Sequence, residues 1–195
     1  MVRLVHLVRH GEVENPRHLV YASLPGFHLS ELGRTQAEET ASYLSSRTVA
    51  AVWSSPLERA VETAEVIARR HGLEVGVDER LGEWKMADRW AGHGWDELPA
   101  VFPGELEAYL RSPESLPGEP LSTLIGRMVE AVEELTREAD GDVVVVSHQD
   151  PIQACLMGLI GLRGLHESKP GHCTVVSLRR DPWREVARWS PEDRR

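Results

Sequence analysis

Arginine and histidine stand side by side where the first apolar run of the chain ends. The mainly apolar residues 4–8 are typical of a strand buried on both faces. The run stops at Arg9, His10 and Gly11. Arginine binds anions through a planar set of donors, a neutral histidine can act as a nucleophile, and glycine permits close backbone approach. This combination predicts phosphoryl chemistry on His10.

Two later segments end on residues of the same types. A short strand predicted over residues 49–53 is followed by a helix that carries Arg59 in its first turns, and the valine run 143–146 ends at Ser147 and His148. In a parallel sheet such strand ends lie at one edge, where open α/β folds place their ligands. Taken singly, each residue also fits a structural role, such as a surface histidine, a solvated arginine or a helix cap. Their joint occurrence on three strand ends favours a phosphate site.

The elements that must position these residues alternate between strand and helix. This alternation predicts an α/β fold, a three-layer α/β/α sandwich with a mostly parallel central sheet. The predicted helices run from an N-cap at Ser30 to about residue 46, from a capping box at Ser55–Glu58 to about residue 71, over residues 121–139, and from an N-cap at Asp150 to about residue 162. Further strands are predicted over residues 73–77, 172–178 and 185–189.

One segment departs from the alternation. Residues 78–120 hold Trp84, Trp90 and Trp95 among several glycines and prolines, with only a short helical pattern. We interpret the segment as a lid-like insertion in a single domain that spans residues 1–190. Residues 191–195 are predicted to be a disordered tail.

Composition excludes several classes of protein. The formal net charge of −9 argues against binding to nucleic acid or to an anionic membrane, and no apolar stretch approaches the ~20 residues that span a bilayer. Cys155 and Cys173 lie among apolar residues and are expected to be buried thiols in a reducing compartment. We therefore expect a cytoplasmic location. The nine histidines raise the alternative of a metalloprotein, but no HxH or HExxH spacing occurs, so no metal is expected.

At this point the chain resembles the histidine phosphatase superfamily, which includes the cofactor-dependent phosphoglycerate mutases. Three motifs in order carry the resemblance over essentially the whole chain. They are Arg-His-Gly at residues 9–11, Ser-Ser-x-x-x-Arg-Ala-x-x-Thr-Ala at residues 54–64, and Ser-His at residues 147–148. The first predicted helix, around residues 29–37, is also similar to that of the family.

The resemblance implies a role for each motif residue. His10 is implied to be the nucleophile that takes the phosphoryl group, and Arg9, Arg59 and His148 to hold the phosphoryl oxygens. Phosphoryl transfer depends mainly on positioning and on stabilising charge on those oxygens, which arginine does well. The family's general acid is a carboxylate between the second and third motifs, and Glu83 matches it best. Its rivals are the nearby acidic residues Asp78, Glu79 and Asp88.

The substrate end of the site departs from the family pattern. Val13 replaces a frequent threonine, the usual asparagine comes one position early as Asn15, and Gln149 replaces a frequent glycine. We expect Asn15, Ser147 and Gln149 to contact the substrate. Four residues of the insertion either line the substrate side or form a small aromatic satellite core, and these are Arg89, Trp90, His93 and Trp95.

These observations predict a metal-independent enzyme without a cofactor, a histidine acid phosphatase-type phosphomonoesterase. It would hydrolyse a small phosphorylated metabolite through a phosphohistidine. A mutase would need more basic residues at the mouth than Arg80, Lys85, Arg89 and Arg111 supply among many acidic groups. Mutase-type transfer and a catalytically silent phosphate binder remain the alternatives. A homodimer is among the assemblies that the sequence permits.

Overall fold

A computed structural model describes residues 3–191 and shows a six-stranded sheet. Nearly all of the predicted tail, residues 192–195, lies outside the described residues. Along the sheet the strand order is β3-β2-β4-β1-β5-β6. The strands are β1 (Leu4–Arg9), β2 (Val49–Ser54), β3 (Val75–Val77), β4 (Asp142–Ser147), β5 (Val175–Arg179) and β6 (Arg184–Trp189).

The first four strands are parallel, and their register brings the predicted strand ends together. Arg9 of β1 lies opposite Ser147 of β4, and Ser54 of β2 lies opposite Val146 of β4. β5 instead runs antiparallel to β1, and β6 antiparallel to β5. The amino end of β5 therefore lies at the edge where the parallel strands have their carboxyl ends.

Helices cover both faces of the sheet, which confirms the predicted α/β class. Because side chains alternate along a strand, Val144 and Val146 pack on one side while Val143 and Val145 pack on the other. The first side carries α1 and α2, and the second carries α5 and α6. Within the described chain the helices are α1 (Glu31–Leu44), α2 (Glu58–His71), α3 (Leu98–Val101), α4 (Glu105–Arg111), α5 (Leu121–Thr136) and α6 (Gln149–Ile160).

Two of the predicted helix caps differ from the structure. Ser30 does cap α1, since its hydroxyl oxygen accepts from the Gly33 amide at 2.9 Å. Ser55 does not cap α2, because that helix begins three residues later and the Ser55 hydroxyl contacts His148. Asp150 does not cap α6 either, because His148 occupies the cap and Asp150 lies in the first turn.

Residues 78–120 form no further strand and consist of short helical pieces. Single turns of 3-10 helix at Glu79–Leu81 and Pro113–Ser115, and a longer one at Lys85–Trp90, accompany α3 and α4. Trp84 and Trp90 are buried in the same cluster as the core of β1 and β4. The alternative of a small aromatic satellite core is therefore wrong for Trp90, which packs in the main core. Among the described residues no helix is both long enough and apolar enough to cross a membrane.

Candidate active site

β1 ends by presenting His10 in a fixed orientation. The imidazole is buried, and its Nδ1 lies 2.7 Å from the carbonyl oxygen of Gly11. Because a carbonyl can only accept, Nδ1 must carry a proton in this contact. In the neutral ring the lone pair is then on Nε2. The backbone thus assigns the tautomer that leaves Nε2 free to attack.

Close packing of two backbones holds the turn after His10. A Cβ on Gly11 would lie 2.6 Å from the carbonyl oxygen of Gly33, and a Cβ on Gly33 would lie 2.0 Å from that of Glu12. The Gly11 amide also donates to the Thr63 hydroxyl at 3.1 Å. Gly33, which lowers the helix propensity of α1, is therefore required for the first turn of α1 to lie against the loop that follows His10.

The first turns of α2 bring Arg59 to the site. Its side chain is fully buried, and Nη2 donates to the carbonyl oxygen of Ala22 at 2.6 Å. The guanidinium carbon lies 4.7 Å from the centre of the Tyr21 ring, a cation–π contact. Tyr21 was not identified from the sequence, because its position in a loop gives no periodic signal.

His148 follows β4 and lies beside His10. The centres of the His10 and His148 rings are 5.2 Å apart, and His148 is fully buried. Its Nε2 lies 2.7 Å from the Ser55 hydroxyl, which leaves Nδ1 without a hydrogen bond and 3.8 Å from Oε2 of Glu83. Ser55 is thus a site residue through His148, although its position suggested a helix cap.

The reversed strand β5 adds a residue that sequence reasoning missed. Arg9 donates through Nη1 to the Pro170 carbonyl oxygen at 3.0 Å, and its Nη2 lies 3.0 Å from Nε2 of His172. The ring of His172 is centred 5.7 Å from that of His10. His172 was assigned only to a strand, and the signal that would have found it is the direction of that strand.

Several buried nitrogen atoms around His10 have no protein partner. They are Nε of Arg9, Nε and Nη1 of Arg59, and Nδ1 of His148. Buried donors are nearly always satisfied in proteins, and a buried charge without a partner is costly. Two guanidinium groups with free donors next to one imidazole can therefore bind an anion that has several oxygen atoms.

The same positive charges keep the histidines neutral. Burial lowers the pKa of His10 well below its usual value, and the charges of Arg59, His148 and Arg9 act in the same direction against the Gly11 carbonyl. Burial followed by Arg59 and Arg9 lowers the pKa of His148 similarly, and burial with Arg9 lowers that of His172 to about 3. The His10 lone pair is consequently available at neutral pH.

Glu83 lines the same cavity as Arg9 and His10, and its side chain is 15% exposed. Burial and the charge of Asp150 raise the pKa of Glu83 to about 7, although Arg59, the Trp84 amide and Arg9 act to lower it. A carboxyl with such a pKa can both give and take a proton at neutral pH. Its rivals Asp78, Glu79 and Asp88 do not line this cavity, and Asp78 instead pairs with Arg80.

The backbone around Glu83 is held by Arg127 of α5. Nη1 of Arg127 donates to the carbonyl oxygens of Arg80 and Gly82 at 2.5 and 2.9 Å, and Nη2 donates to that of Glu83 at 2.9 Å. Glu119 fixes the other side of the guanidinium, with Nε to Oε1 at 2.7 Å. Sequence reasoning missed this clamp because Arg127 lies on an otherwise unremarkable amphipathic helix.

A cavity of about 230 Å³ opens beside Arg9, His10 and Glu83. Of the predicted substrate contacts, Gln149 lines it, while Asn15 and Ser147 do not. The Asn15 amide bonds both backbone groups of Leu19, and the Ser147 hydroxyl donates to the Leu81 carbonyl oxygen at 2.7 Å. Those two side chains are therefore engaged in holding loops.

The residues predicted for the substrate side of the insertion divide in the same way. Trp90 and Trp95 line the cavity, whereas Arg89 and His93 do not. Arg89 pairs with Glu105 at 2.7 Å. Among residues 3–191, no group of three or more histidine, cysteine or acidic side chains is arranged to hold a metal ion.

Arginines and histidines gathered at the carboxyl edge of a mostly parallel sheet define an open α/β protein with a cationic site. The family model of the histidine phosphatase superfamily (branch 1) matches residues 5–190, and the chain belongs to this superfamily. The resemblance drawn from the three motifs is thereby confirmed.

Named relatives include phosphatases and a mutase. Phosphoserine phosphatase 1 of Hydrogenobacter thermophilus is 35% identical over 167 residues, which cover 83% of this chain and 78% of that protein. A phosphoglycerate mutase of Thermoplasma acidophilum that depends on 2,3-bisphosphoglycerate is 30% identical over 156 residues, 80% and 75% of the two chains. The solved structure of a mycobacterial glucosyl-3-phosphoglycerate phosphatase with VO3 has a TM-score of 0.85 at 30% identity, covering 96% and 98%.

Proposed function

We propose that this protein is a metal-independent phosphatase that hydrolyses small phosphomonoesters through a phosphohistidine on His10. The observation that carries the proposal is the set of buried, unpartnered nitrogens of Arg9, Arg59 and His148 around the neutral His10 ring. A phosphoryl group supplies oxygen acceptors for these donors and an electrophilic phosphorus for Nε2. Relatives that are named as phosphatases support the same class of reaction.

The proposed reaction has two steps. In the first, Nε2 of His10 forms a bond to phosphorus, the bond from phosphorus to the ester oxygen breaks, and Glu83 gives its proton to that oxygen. In the second, the Glu83 carboxylate takes a proton from water, the resulting hydroxide attacks phosphorus, and the bond to His10 breaks. Orthophosphate leaves, and both His10 and Glu83 return to their starting states. Arg9, Arg59 and His148 stabilise the charge on the equatorial oxygens throughout.

Hydrolysis is favoured over mutase-type return of the phosphoryl group by the cavity wall. A mutase must also hold a carboxylated sugar acid. Four basic residues were considered for that role from the sequence: Arg80, Lys85, Arg89 and Arg111. In the described structure none of the four lines the cavity. The protein's own arginines supply the positive charge, so a chelator should leave the rate unchanged.

Composition supports the remaining parts of the proposal. The net charge of −9 favours a small metabolite over nucleic acid or a membrane surface as partner. Cys155 and Cys173 are buried free thiols, which supports a reducing, cytoplasmic location.

Trapping of the phosphoenzyme tests the nucleophile. The protein is incubated with a ³²P-labelled phosphomonoester and quenched in alkali, and wild type should retain label that acid releases. His10→Ala should retain none and lose activity by about 1000-fold or more. His71→Ala, which removes a histidine at the far end of α2, is the matched control and should label normally. Label on His10→Ala would overturn the assignment, whereas a wild type that binds phosphate without turnover would be a silent binder.

A further inference from the structure

The lining of the cavity has two chemically different parts. The polar or ionisable part consists of Arg9, His10, Glu83, Gln149, Asp150 and His172, and the remaining lining, here called the wall, is apolar or aromatic. Two separate segments supply that wall, the loop before α1 and the segment 79–115. Its side chains include Leu19, Val20, Ala87, Trp90, Trp95 and Tyr109.

Backbone hydrogen bonds join the two segments into one surface. The Val20 amide donates to the His93 carbonyl oxygen at 2.8 Å, and the Gly92 amide donates to the Val20 carbonyl oxygen at 2.9 Å. Leu19 and Gly94 form an antiparallel bridge. The wall is therefore held in place by main-chain contacts.

Neither an anionic nor a cationic group would find a free partner on this wall. Lys169, a cation that contacts the wall at Tyr109, is bound to Asp150 at 2.5 Å and to the Tyr109 hydroxyl at 2.6 Å. The second oxygen of Asp150 accepts from the same hydroxyl at 2.7 Å. Both carboxylate oxygens of Asp150 thus already have a partner, and Lys169 neutralises the charge that would attract a substrate ammonium group.

Building on the proposed phosphatase activity, we propose that the preferred substrates are phosphate esters of small alcohols with an uncharged, apolar or aromatic body. Such a body buries apolar surface against Trp95 and its neighbours, which is favourable in proportion to the area removed from water. A carboxylate or ammonium group in the same place loses hydration without gaining a partner. The cavity volume of about 230 Å³ limits the body to a small one.

Three esters with the same leaving oxygen separate these cases. They are n-pentyl phosphate, ω-carboxybutyl phosphate and ω-aminobutyl phosphate, which differ in the charge of the remote end. We expect kcat/KM for the pentyl ester to exceed that of either charged ester by about tenfold or more, the effect of ~1.4 kcal/mol. Equal or better hydrolysis of a charged ester would overturn this inference while leaving the phosphatase proposal intact. Failure to hydrolyse any of the three would overturn the phosphatase proposal itself.

Trp95 provides a variant that should fold normally, because its side chain is 47% exposed. Trp95→Ala should lower the ratio of kcat/KM for pentyl phosphate to that for methyl phosphate by about threefold to tenfold, since methyl phosphate is too short to reach the wall. Leu110→Ala removes an exposed apolar side chain outside the cavity and should leave the ratio unchanged. An unchanged ratio in Trp95→Ala would show that this wall does not select the leaving group.

A second variant adds to the wall the cationic partner that a substrate carboxylate would need. Ala87 lines the cavity and is half-buried, so Ala87→Lys can extend an ammonium group towards the substrate. We expect it to raise kcat/KM for the carboxybutyl ester relative to the pentyl ester by about tenfold. A shift in the opposite direction would contradict the proposed position of the leaving group.

Discussion

The proposed phosphate end of the cavity, at Arg9, His10 and Glu83, and its proposed leaving-group wall, the apolar and aromatic lining, are built in opposite ways. At the phosphate end, three strand ends converge on buried charges whose nitrogens lack protein partners. At the wall, apolar side chains come from irregular segments, and the nearby charges of Asp150 and Lys169 are paired with each other. The nitrogens at the phosphate end need a ligand to complete their hydrogen bonds, whereas the charges beside the wall already have protein partners.

This difference implies that one end carries out the phosphoryl transfer and the other selects between esters. Charges that the sheet positions can act on any phosphoryl group, because they contact only its oxygens. The wall contacts what is attached to the phosphoryl group, and its segments can change without disturbing the strands. Substitutions at the two ends should therefore affect different quantities. Substitutions at the phosphate end should change the rate for all esters, and substitutions at the wall should change the ratio of kcat/KM between esters.

Arg59→Met should break the phosphate end most completely. The variant keeps a buried side chain of similar length but removes two free donors, so we expect kcat/KM to fall about 100- to 1000-fold for every ester. Inorganic phosphate should raise the melting temperature of wild type by binding the native state, and should not do so for the variant. The measurements are initial rates on the pentyl and carboxybutyl esters and thermal unfolding with and without phosphate.

Arg70→Met provides the control for that experiment. Arg70 is an exposed arginine on the same helix, and its loss should change neither the rate nor the response to phosphate. A loss in Arg59→Met restricted to one ester would show that Arg59 belongs to the selecting end.

Glu83→Gln tests the carboxyl group that lies beside His148. Below its pKa of about 7, Glu83 carries the proton that an alkoxide leaving group needs, and above that value it does not. We expect kcat/KM on an alkyl phosphate at about pH 6 to fall roughly 100-fold in the variant. The ratio of wild type to variant should then decrease about tenfold per pH unit above the pKa, and taking this ratio cancels the ionisation of the substrate.

Aryl phosphates sharpen this prediction, because a good leaving group needs less protonation. Their rate should fall much less in Glu83→Gln. Glu79→Gln changes a nearby exposed carboxyl that does not line the cavity, and it should match wild type. If the ratio of wild type to variant does not vary with pH, a group other than Glu83 gives the proton to the leaving oxygen.

Arg127→Lys should have the smallest effect of the three, because the residue touches only the backbone around Glu83. Lysine keeps the charge but cannot bond three carbonyl oxygens and Glu119 together. We expect about a tenfold loss on alkyl phosphates and little change on aryl phosphates. Arg137→Lys at the exposed end of α5 is the matched control. Equal losses on both ester classes would indicate general damage to the fold.

Sequence patterns predicted the sheet end of the molecule well. The valine run and the Ser30 cap are local signals, and the structure has each element close to its predicted place. The convergence of Arg9, Arg59 and His148 then followed from the rule that parallel strands share an edge. The patterns were less accurate at helix starts. Ser55 lies two residues before the observed cap of α2 and contacts His148, and Asp150 lies inside the first turn of α6 and accepts from Tyr109.

The wall could not be predicted in the same way. Tyr21 and Trp95 lie in segments without periodicity, and only the pairing of residues 18–20 with residues 92–95 brings them together. Such pairing depends on distant segments and leaves no local pattern. His172 escaped prediction for a related reason, because its place at the site depends on the direction of β5.

The direction of β5 also has a consequence for the order in which the protein becomes active during synthesis. Arg9 is synthesised 161 and 163 residues before the two residues that accept from its side chain, Pro170 and His172. Until they emerge, one edge of β1 has no partner strand and the Arg9 guanidinium is not oriented. The growing chain therefore carries His10 without a finished site around it until His172 has been synthesised.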